Sequence, residues 1–469
     1  MTAASDLVAL CKDALRKAGE PEVEIFASAA DRGFARFASG ELGQHMQLAE
    51  PQAVVRVARG KRVAEAATTG HTQGALVLAI RDAARRAMLV PETEGFPGFT
   101  GAGELTGESV TRFVGATAKA TAEERVERLA PVMRAVRDAG LVSAGVLETR
   151  RIAQAVVTSH GCERAHDETI ATFKIWALET PGAGGAAGYG GHVHKDVGAL
   201  DLEAQTERAI RICKMSGNPG ALDAGTYDVV MEPEASSELL EWLSTIAFGA
   251  PELEQGSSAF AGRAGQKVTG EAITIIEDPL DSSDLGFGAP FDREGTWRRR
   301  VPIVERGVAR EILYDRTYAS RLGGASGRRS TGSALLPDFG APGGIGACAA
   351  SLSPGEAGSV DELIAGMDRG LYVCRLHYVN GLLEPRRAVM TGLTRDGCFL
   401  VEKGKIVRPV GNMRFTDSFL EGLARCDGMT KKRVAVPTWW SSNGACVVPA
   451  IRMRSFRFNG KSQEKAQFE

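Results

Sequence analysis

The chain has 469 residues, 43% hydrophobic and 24% charged, with a formal net charge of -2. That length can bury a large core and predicts two or three domains. The balanced charge argues against a dedicated nucleic-acid binder, which carries a basic face, and no stretch approaches the ~18 apolar residues of a membrane span.

The first twenty residues, MTAASDLVALCKDALRKAGE, have no basic leader before an apolar core. They predict an amphipathic helix capped by Ser5 and stopped at Gly19. Residues 21–70 predict an antiparallel sheet. Four β-rich runs, EVEIFASAA, GFARFASGEL, HMQLA and AVVRVARGKRVAEAAT, are separated at glycines, Asp-Arg or Glu-Pro. A helix over Gln73–Leu89 follows, then a surface loop over 91–112, rich in Pro, Gly, Thr and Glu. Thr121 and Glu124 stand in capping-box register for a helix running to Gly140, bent by Pro131. The runs LVSAGVLETRRIAQAVVTS and ETIATFKIWALET predict strands, 181–198 a glycine-rich connection, and Leu202–Met215 a helix. The turn-forming segment GNPGALDAGT at 217–226 predicts a boundary between an N-terminal unit, 1–218, and a C-terminal unit, 219–469.

The second unit opens on a short strand, Tyr227–Met231. Pro233, Ser236 and Ser237 then start a helix carrying Leu239, Leu240, Leu243, Ile246 and Ala247 at helical spacing. Later strands are ITIIED, a hairpin turning at Arg306-Gly307, GLYVCRLHYV, GCFLVEKGKIVRPV and CVVPAIRMRSFRF, before a frayed polar tail, GKSQEKAQFE. The expected fold class is α+β: an N-terminal α/β sandwich-like domain with an antiparallel sheet, and a β-rich, barrel-like C-terminal domain.

A strand running into a helix is where many metalloproteases hold zinc, because helical spacing sets two histidines on one face. The helix after Met231 contains no histidine. His192 and His194 stand on one side of a strand but lack a third ligand nearby. Cys162 and His166, in HGCERAH, read as a turn between strands. There is no GxSxG elbow, Walker A sequence or GxGxxG after a strand. The eight cysteines include no CxxC pair, which predicts a cytoplasmic protein with reduced thiols. Cys374 and Cys398, within apolar strands, read as packing residues. The long loop Asp278–Arg300 offers Asp292, Glu294 and Trp297 as peptide or partner contacts; the alternative is that the carboxylates hold turns. The basic runs Arg298–Arg300 and Lys431–Arg433 read as solvated faces.

Five segments, GTYDVVM (225–231), SSAFAGRAGQKV (257–268), PFDREG (290–295), GLYV (370–373) and GKIVRPV (404–410), resemble the TldD/PmbA family, also labelled modulator of DNA gyrase. The run RFASGEL…VRVARGKRVAEAAT is similar to that family's first domain. In the family, TldD-like subunits carry HExxxH and a distant cysteine that together hold zinc. TldE/PmbA-like subunits lack them and pair with a TldD-like partner in a complex acting on unfolded or leader-type peptides. Carried over without gaps, the two histidine positions fall on Glu241 and Ile246, the glutamate on Trp242, and the cysteine near Trp440, with Cys446 beyond it. Isoleucine has no lone pair and tryptophan only an N–H donor. The resemblance therefore implies a TldE/PmbA-like subunit with no catalytic residue or cofactor of its own. Zinc is expected in a TldD-like HExxxH partner, with an extended peptide as substrate and a homodimer as the form in isolation. After GLYV the sequence departs from the family pattern, which marks a variant branch and makes His377 and Asn380 further contact candidates. Two alternatives stand beside this: a peptidase with an atypical metal site through His192, His194 or His377, and a stand-alone peptide-binding or scaffold homodimer.

Overall fold

The computed structural model describes residues 2–103, 107–180, 185–323, 327–336, 344–437 and 445–461. It is α+β and built on two sheets. The first contains β1 (Val23–Ala38), β2 (Glu41–Arg59), β3 (Arg62–Thr68), β4 (Val142–Thr158), β5 (Glu163–Leu178) and β6 (Ala187–His194), in the order β3-β2-β1-β4-β5-β6 and antiparallel throughout. Side-chain alternation divides its two faces. Ile25, Ala27, Val55 and Val57 pack under helices α1 (Ala4–Ala18) and α2 (Gln73–Ala87). Further along the same face, Ala35, Phe37, Phe173 and Ile175 pack under α4 (Ala122–Asp138) and α5 (Leu202–Met215); the short α3 is Gly115–Lys119. The alternate residues, Phe26, Ala30, Ile152, Val156 and Ile170, turn to the other face and meet Phe287, Phe291, Ala435 and Val447 of the second half of the chain.

The second sheet contains β7 (Gly225–Met231), β8 (Ile275–Glu277), β9 (Val301–Glu305), β10 (Val308–Ala309), β11 (Ala350–Leu352), β12 (Arg369–Glu384), β13 (Val389–Glu402), β14 (Lys405–Pro409), β15 (Met413–Ser418), β16 (Cys426–Pro437) and β17 (Ala445–Lys461). Its order is β10-β9-β8-β11-β17-β15-β13-β12-β7, with β14 on β13 and β16 on β17. Because β7 also pairs antiparallel with β17, the strands β7, β12, β13, β15 and β17 close into a ring. Helix α6 (Pro233–Ala247) leaves β7 directly, and its Leu239, Leu240, Leu243, Ile246 and Ala247 share one core with Val229, Val373, Met390, Phe415 and Ile451 of the ring. No helix among the described residues is long and apolar enough to cross a membrane.

Several boundaries differ from the sequence expectation. The first helix is capped at Ala3, whose N–H donates to the Asp6 carboxylate (2.9 Å), and Ser5 lies inside it. The four runs over 21–70 are three strands. Asp31-Arg32 does not break β1 because Arg32 pairs with Glu148 (2.6 Å) on β4, and Arg150 of β4 pairs with Glu50 (3.1 Å) on β2. Pro51 is tolerated in β2 beyond Ala53, where β3 pairing ends. The glycine-rich 181–198 contains β6, and His166 lies within β5, which starts five residues before the expected run. The 91–112 loop buries Phe99, Thr100 and Arg112. Glu232 is the N-cap of α6, with Ser236 and Ser237 inside the helix. Gly460 and Lys461 belong to β17, and the tail beyond lies outside the described residues.

Leu243 is fully buried in the α6 core. Leu243→Ala is expected to lower the free energy of unfolding by about 2–5 kcal/mol, read by urea denaturation. Thr245→Ala, on the same helix but exposed, should change it by no more than about 0.5 kcal/mol.

Candidate functional site

One stripe of α6 escapes the core. Glu234, Glu238, Glu241, Trp242 and Thr245 recur at three- and four-residue steps and so share a face. Glu234, Glu238 and Trp242 are half-buried and Thr245 exposed, whereas the flanking leucines are fully buried. The stripe lies along the cleft where the ring meets the first sheet: Glu241 acts on Lys174 of β5, and Arg375 of β12 acts on Glu234 and Glu238. Beside it runs β12, where Gly381 is required by close approach: a Cβ there would stand 2.9 Å from Cε3 of Trp242.

The first sheet supplies the opposite wall. Arg375 of β12 forms an ion pair with Asp396 and lies over the rings of Tyr189 (4.8 Å) and Trp176 (5.5 Å), and Trp176 Nε1 donates to Asp396 Oδ2 (3.1 Å). At the start of α6, Arg208 of α5 bridges Glu232 (3.1 Å) and Glu234 (3.3 Å), and the Tyr372 hydroxyl donates to Glu232. Burial raises the Glu234 carboxyl against the pull of Arg208. Burial pushes the Glu238 carboxyl up to about 7, with Arg375 and the Val379 backbone pulling down. On β5, Lys174 is lowered by burial and by Arg375, while Glu148 and Glu241 raise it. The junction thus brings opposed charges together in partly buried surroundings.

The positions that the sequence suggested fall in separate parts of the fold. Glu241, Trp242 and Ile246 do share α6, but Ile246 packs in the core, Glu241 is buried within reach of Lys174, and Trp242 is half-buried between the core and Gly381 of β12. His377 and Asn380 lie on the neighbouring part of β12. Burial, then Arg395 and Arg375, push His377 down to about 4, and Asn380 Oδ1 accepts the Leu382 N–H (2.8 Å). Asp292, Glu294 and Trp297 sit apart, where the 278–300 loop meets the first sheet. Asp292 accepts the N–H groups of Glu294 (2.9 Å), Thr296 (3.0 Å) and Ala334 (3.0 Å). Glu294 pairs with Arg56 (2.8 Å), which also pairs with Glu24 (3.0 Å). Both carboxylates are almost fully buried, while Trp297 is half-buried, 4.8 Å from the Arg164 guanidinium. Trp440 lies outside the described residues. His192 and His194 each accept a backbone N–H at Nδ1, from Asp201 (3.0 Å) and Asp196 (2.9 Å), and so anchor the connection into α5.

Glu238, Lys174, Arg375 and Asp396 were not singled out from the sequence. Glutamates at 234, 238 and 241, spaced to share one face of a helix whose other face is leucine-rich, are the signal that points to the first of them. A zinc site does not fit here. The Cys446 thiol stands in the field of Glu241 and Glu277 and is pushed well up, first by burial and then by both carboxylates. The Glu277 oxygens already accept the N–H groups of Cys348 (2.8 Å) and Ala349 (3.1 Å). Among the described residues, the positions that the zinc motif would use offer Glu241 and, beyond them, one reluctant thiol, fewer than the three protein ligands of a catalytic zinc. Among the described residues no group of three or more His, Cys, Asp or Glu could hold a metal ion.

A family model described as the PmbA/TldA metallopeptidase C-terminal domain matches residues 224–460. The chain belongs to the PmbA/TldD metallopeptidase family. It is 29% identical over 230 residues to a metalloprotease of Methanothermobacter thermautotrophicus, covering 48% of this chain and 46% of that protein. It is 31% identical over 216 residues to a metalloprotease of Archaeoglobus fulgidus, covering 45% and 49%. The matches thus span about half the length of these curated relatives. The fold is similar to the crystal structure of TldE from Thermococcus kodakarensis, with a TM-score of 0.87 at 19% identity over 96% of this chain and all of that one.

Burial raises Glu24 up to about 6, against Arg56 and with Glu294; it raises Asp292 up to about 7 and Asp315 up to about 6, with Glu294 adding to both. A carboxyl whose folded pKa is raised contributes stability at low pH that is lost as pH rises through that value. Buried histidines with lowered pKa pull the other way, so comparison with a variant isolates the effect. Glu24→Gln keeps Oε1 toward Arg56 and removes the titration. The melting temperature of the variant relative to the wild type is expected to rise between about pH 4.5 and pH 6; a constant difference would show that Glu24 does not titrate there.

Proposed function

We propose that this chain is a non-catalytic TldE/PmbA-like subunit of a zinc-dependent peptidase complex. The zinc and its general base come from a TldD-like subunit carrying HExxxH, and the complex degrades or matures unfolded or leader-type peptides. The observation that carries the reading is the donor set on α6: a carboxylate, an indole and an isoleucine at 241, 242 and 246, with the isoleucine buried in the core. An indole N–H cannot act as general base toward water. The family membership and the TldE-like fold support the same assignment.

In this reading the cleft is the part of the chain that meets peptide. Glu238 and Glu241 on α6, and His377 and Asn380 on β12, border it. Asp292, Glu294 and Trp297 act at the junction that fixes the distance between its walls. An extended chain would be held mainly by backbone hydrogen bonds, which do not select sequence. The eight cysteines, all unpaired, suit a reducing compartment such as the cytoplasm. Residues 1–218 and 219–469 are taken as the two folding units.

Co-expression with a TldD-like protein tests the proposal. The two chains are expected to co-purify, and hydrolysis of an unfolded peptide should require both. Separate elution, with the TldD-like protein cutting equally well alone, would remove the basis for the role.

A further inference from the structure

Strand β2 is 19 residues long, but β3 covers only Ala53–Arg59 of its outer side. From Glu41 to Gln52 it pairs with β1 on one side and with no described strand on the other. Among the described residues, the backbone here is engaged beyond β1 only at Gln52, whose carbonyl lies 3.1 Å from His71 Nε2. The remaining outward N–H and C=O groups form a row about 35–40 Å long.

This edge is held rigidly in place. Arg125 of α4 contacts His45 Nε2 (3.3 Å) and Gln47 Oε1 (3.2 Å) and is seated over Gly33, where a Cβ would come within 2.5 Å of its guanidinium. It also lacks the protection that open edges usually carry. Long solitary edges are guarded by charges, prolines or short length, because they template pairing. Leu42–Ala49, LGQHMQLA, has no Asp, Glu, Lys or Arg, whereas at 24% charge eight positions would carry about two; its one titratable side chain is His45. Glu41 at one end, and Glu50 and Pro51 at the other, bound the neutral stretch. Met46 and Leu48, opposite Phe34 and Arg32, stand on the face that borders the cleft.

We propose that Glu41–Pro51 is the docking edge for one uncharged extended strand of a second, folded subunit, joined to β2 by main-chain hydrogen bonds. A transient peptide would leave the edge open most of the time and exposed to aggregation, so a standing partner fits better. The added strand would extend the cleft wall that faces α6. This rests on the reading that the chain works as one subunit of a complex, and it names the surface used.

The test compares amide hydrogen exchange in the isolated chain and in its complex with a co-expressed HExxxH-bearing relative. Amides within 41–51 that exchange freely in the isolated chain are expected to slow by about tenfold or more in the complex. Leu48→Pro and Ala49→Pro supply the control. Successive N–H groups on a strand point to opposite sides, so one proline should break the β1 ladder and lower the melting temperature. The other should spare the fold and abolish the complex. A complex that forms with exchange at 41–51 unchanged, and that survives the fold-sparing proline, would overturn the docking edge while leaving the subunit role intact. Slowing of the same amides by an unfolded peptide alone would overturn it in favour of a peptide site. Failure to form any complex would remove both.

Discussion

The pairing of β7 on both sides is the constraint from which the site follows. Held parallel to β12 and antiparallel to β17, β7 closes the ring, and its last residue, Met231, is buried in the ring's core. Helix α6 begins two residues later, so its direction and rotation are fixed almost as soon as the chain leaves the sheet. The helix places its leucines and Ile246 in the core. One face is left, and it carries three glutamates and an indole. A helix with fewer apolar positions could turn, and the stripe would not face the cleft.

The second half needs the first sheet to complete that cleft. Period-two alternation gives the sheet two apolar faces, one closed by α1, α2, α4 and α5 and the other by the ring's side of the molecule. The contact is tied by buried charge. Burial lowers the Arg56 pKa, but Glu24 and Glu294 outweigh it, and Arg56 stays charged between them. Glu294 feels burial first as well, yet Arg56 and the Arg316 N–H bring it below the usual range. Removing one partner of such a set leaves an uncompensated buried charge and costs about 3–5 kcal/mol, so the spacing of the walls is a property of the fold.

Where local signals and packing agreed, the sequence was sufficient. The Thr121–Glu124 capping box forms with both bonds, α5 spans Leu202–Met215 as its periodicity indicates, and Arg306-Gly307 turns the β9–β10 hairpin with both residues at positive φ. Misreadings came from residues whose local meaning is overridden by long-range contact. Glycines at 188 and 190 read as part of a glycine-rich connection, yet they let the backbone of α5 approach β6: a Cβ would stand 2.0 Å from the Ala209 carbonyl or 2.2 Å from that of Gln205. Asp31, Arg32 and Glu50 looked like breaks, yet Arg32 and Glu50 lie in ion pairs that cross three strands. At the site, the lack of histidine on α6 was legible from composition alone. The cleft was not, because Lys174, Arg375 and Asp396 come together only through pairing of distant strands.

On the proposed reading, α6 and its surroundings hold no zinc within this chain. Zinc titration of the isolated protein, followed by metal quantification after gel filtration, tests it most directly. The account predicts no retained stoichiometric zinc, and the same result for Glu241→Gln and Cys446→Ser. One zinc per chain, lost in either variant and accompanied by peptide hydrolysis, would contradict it.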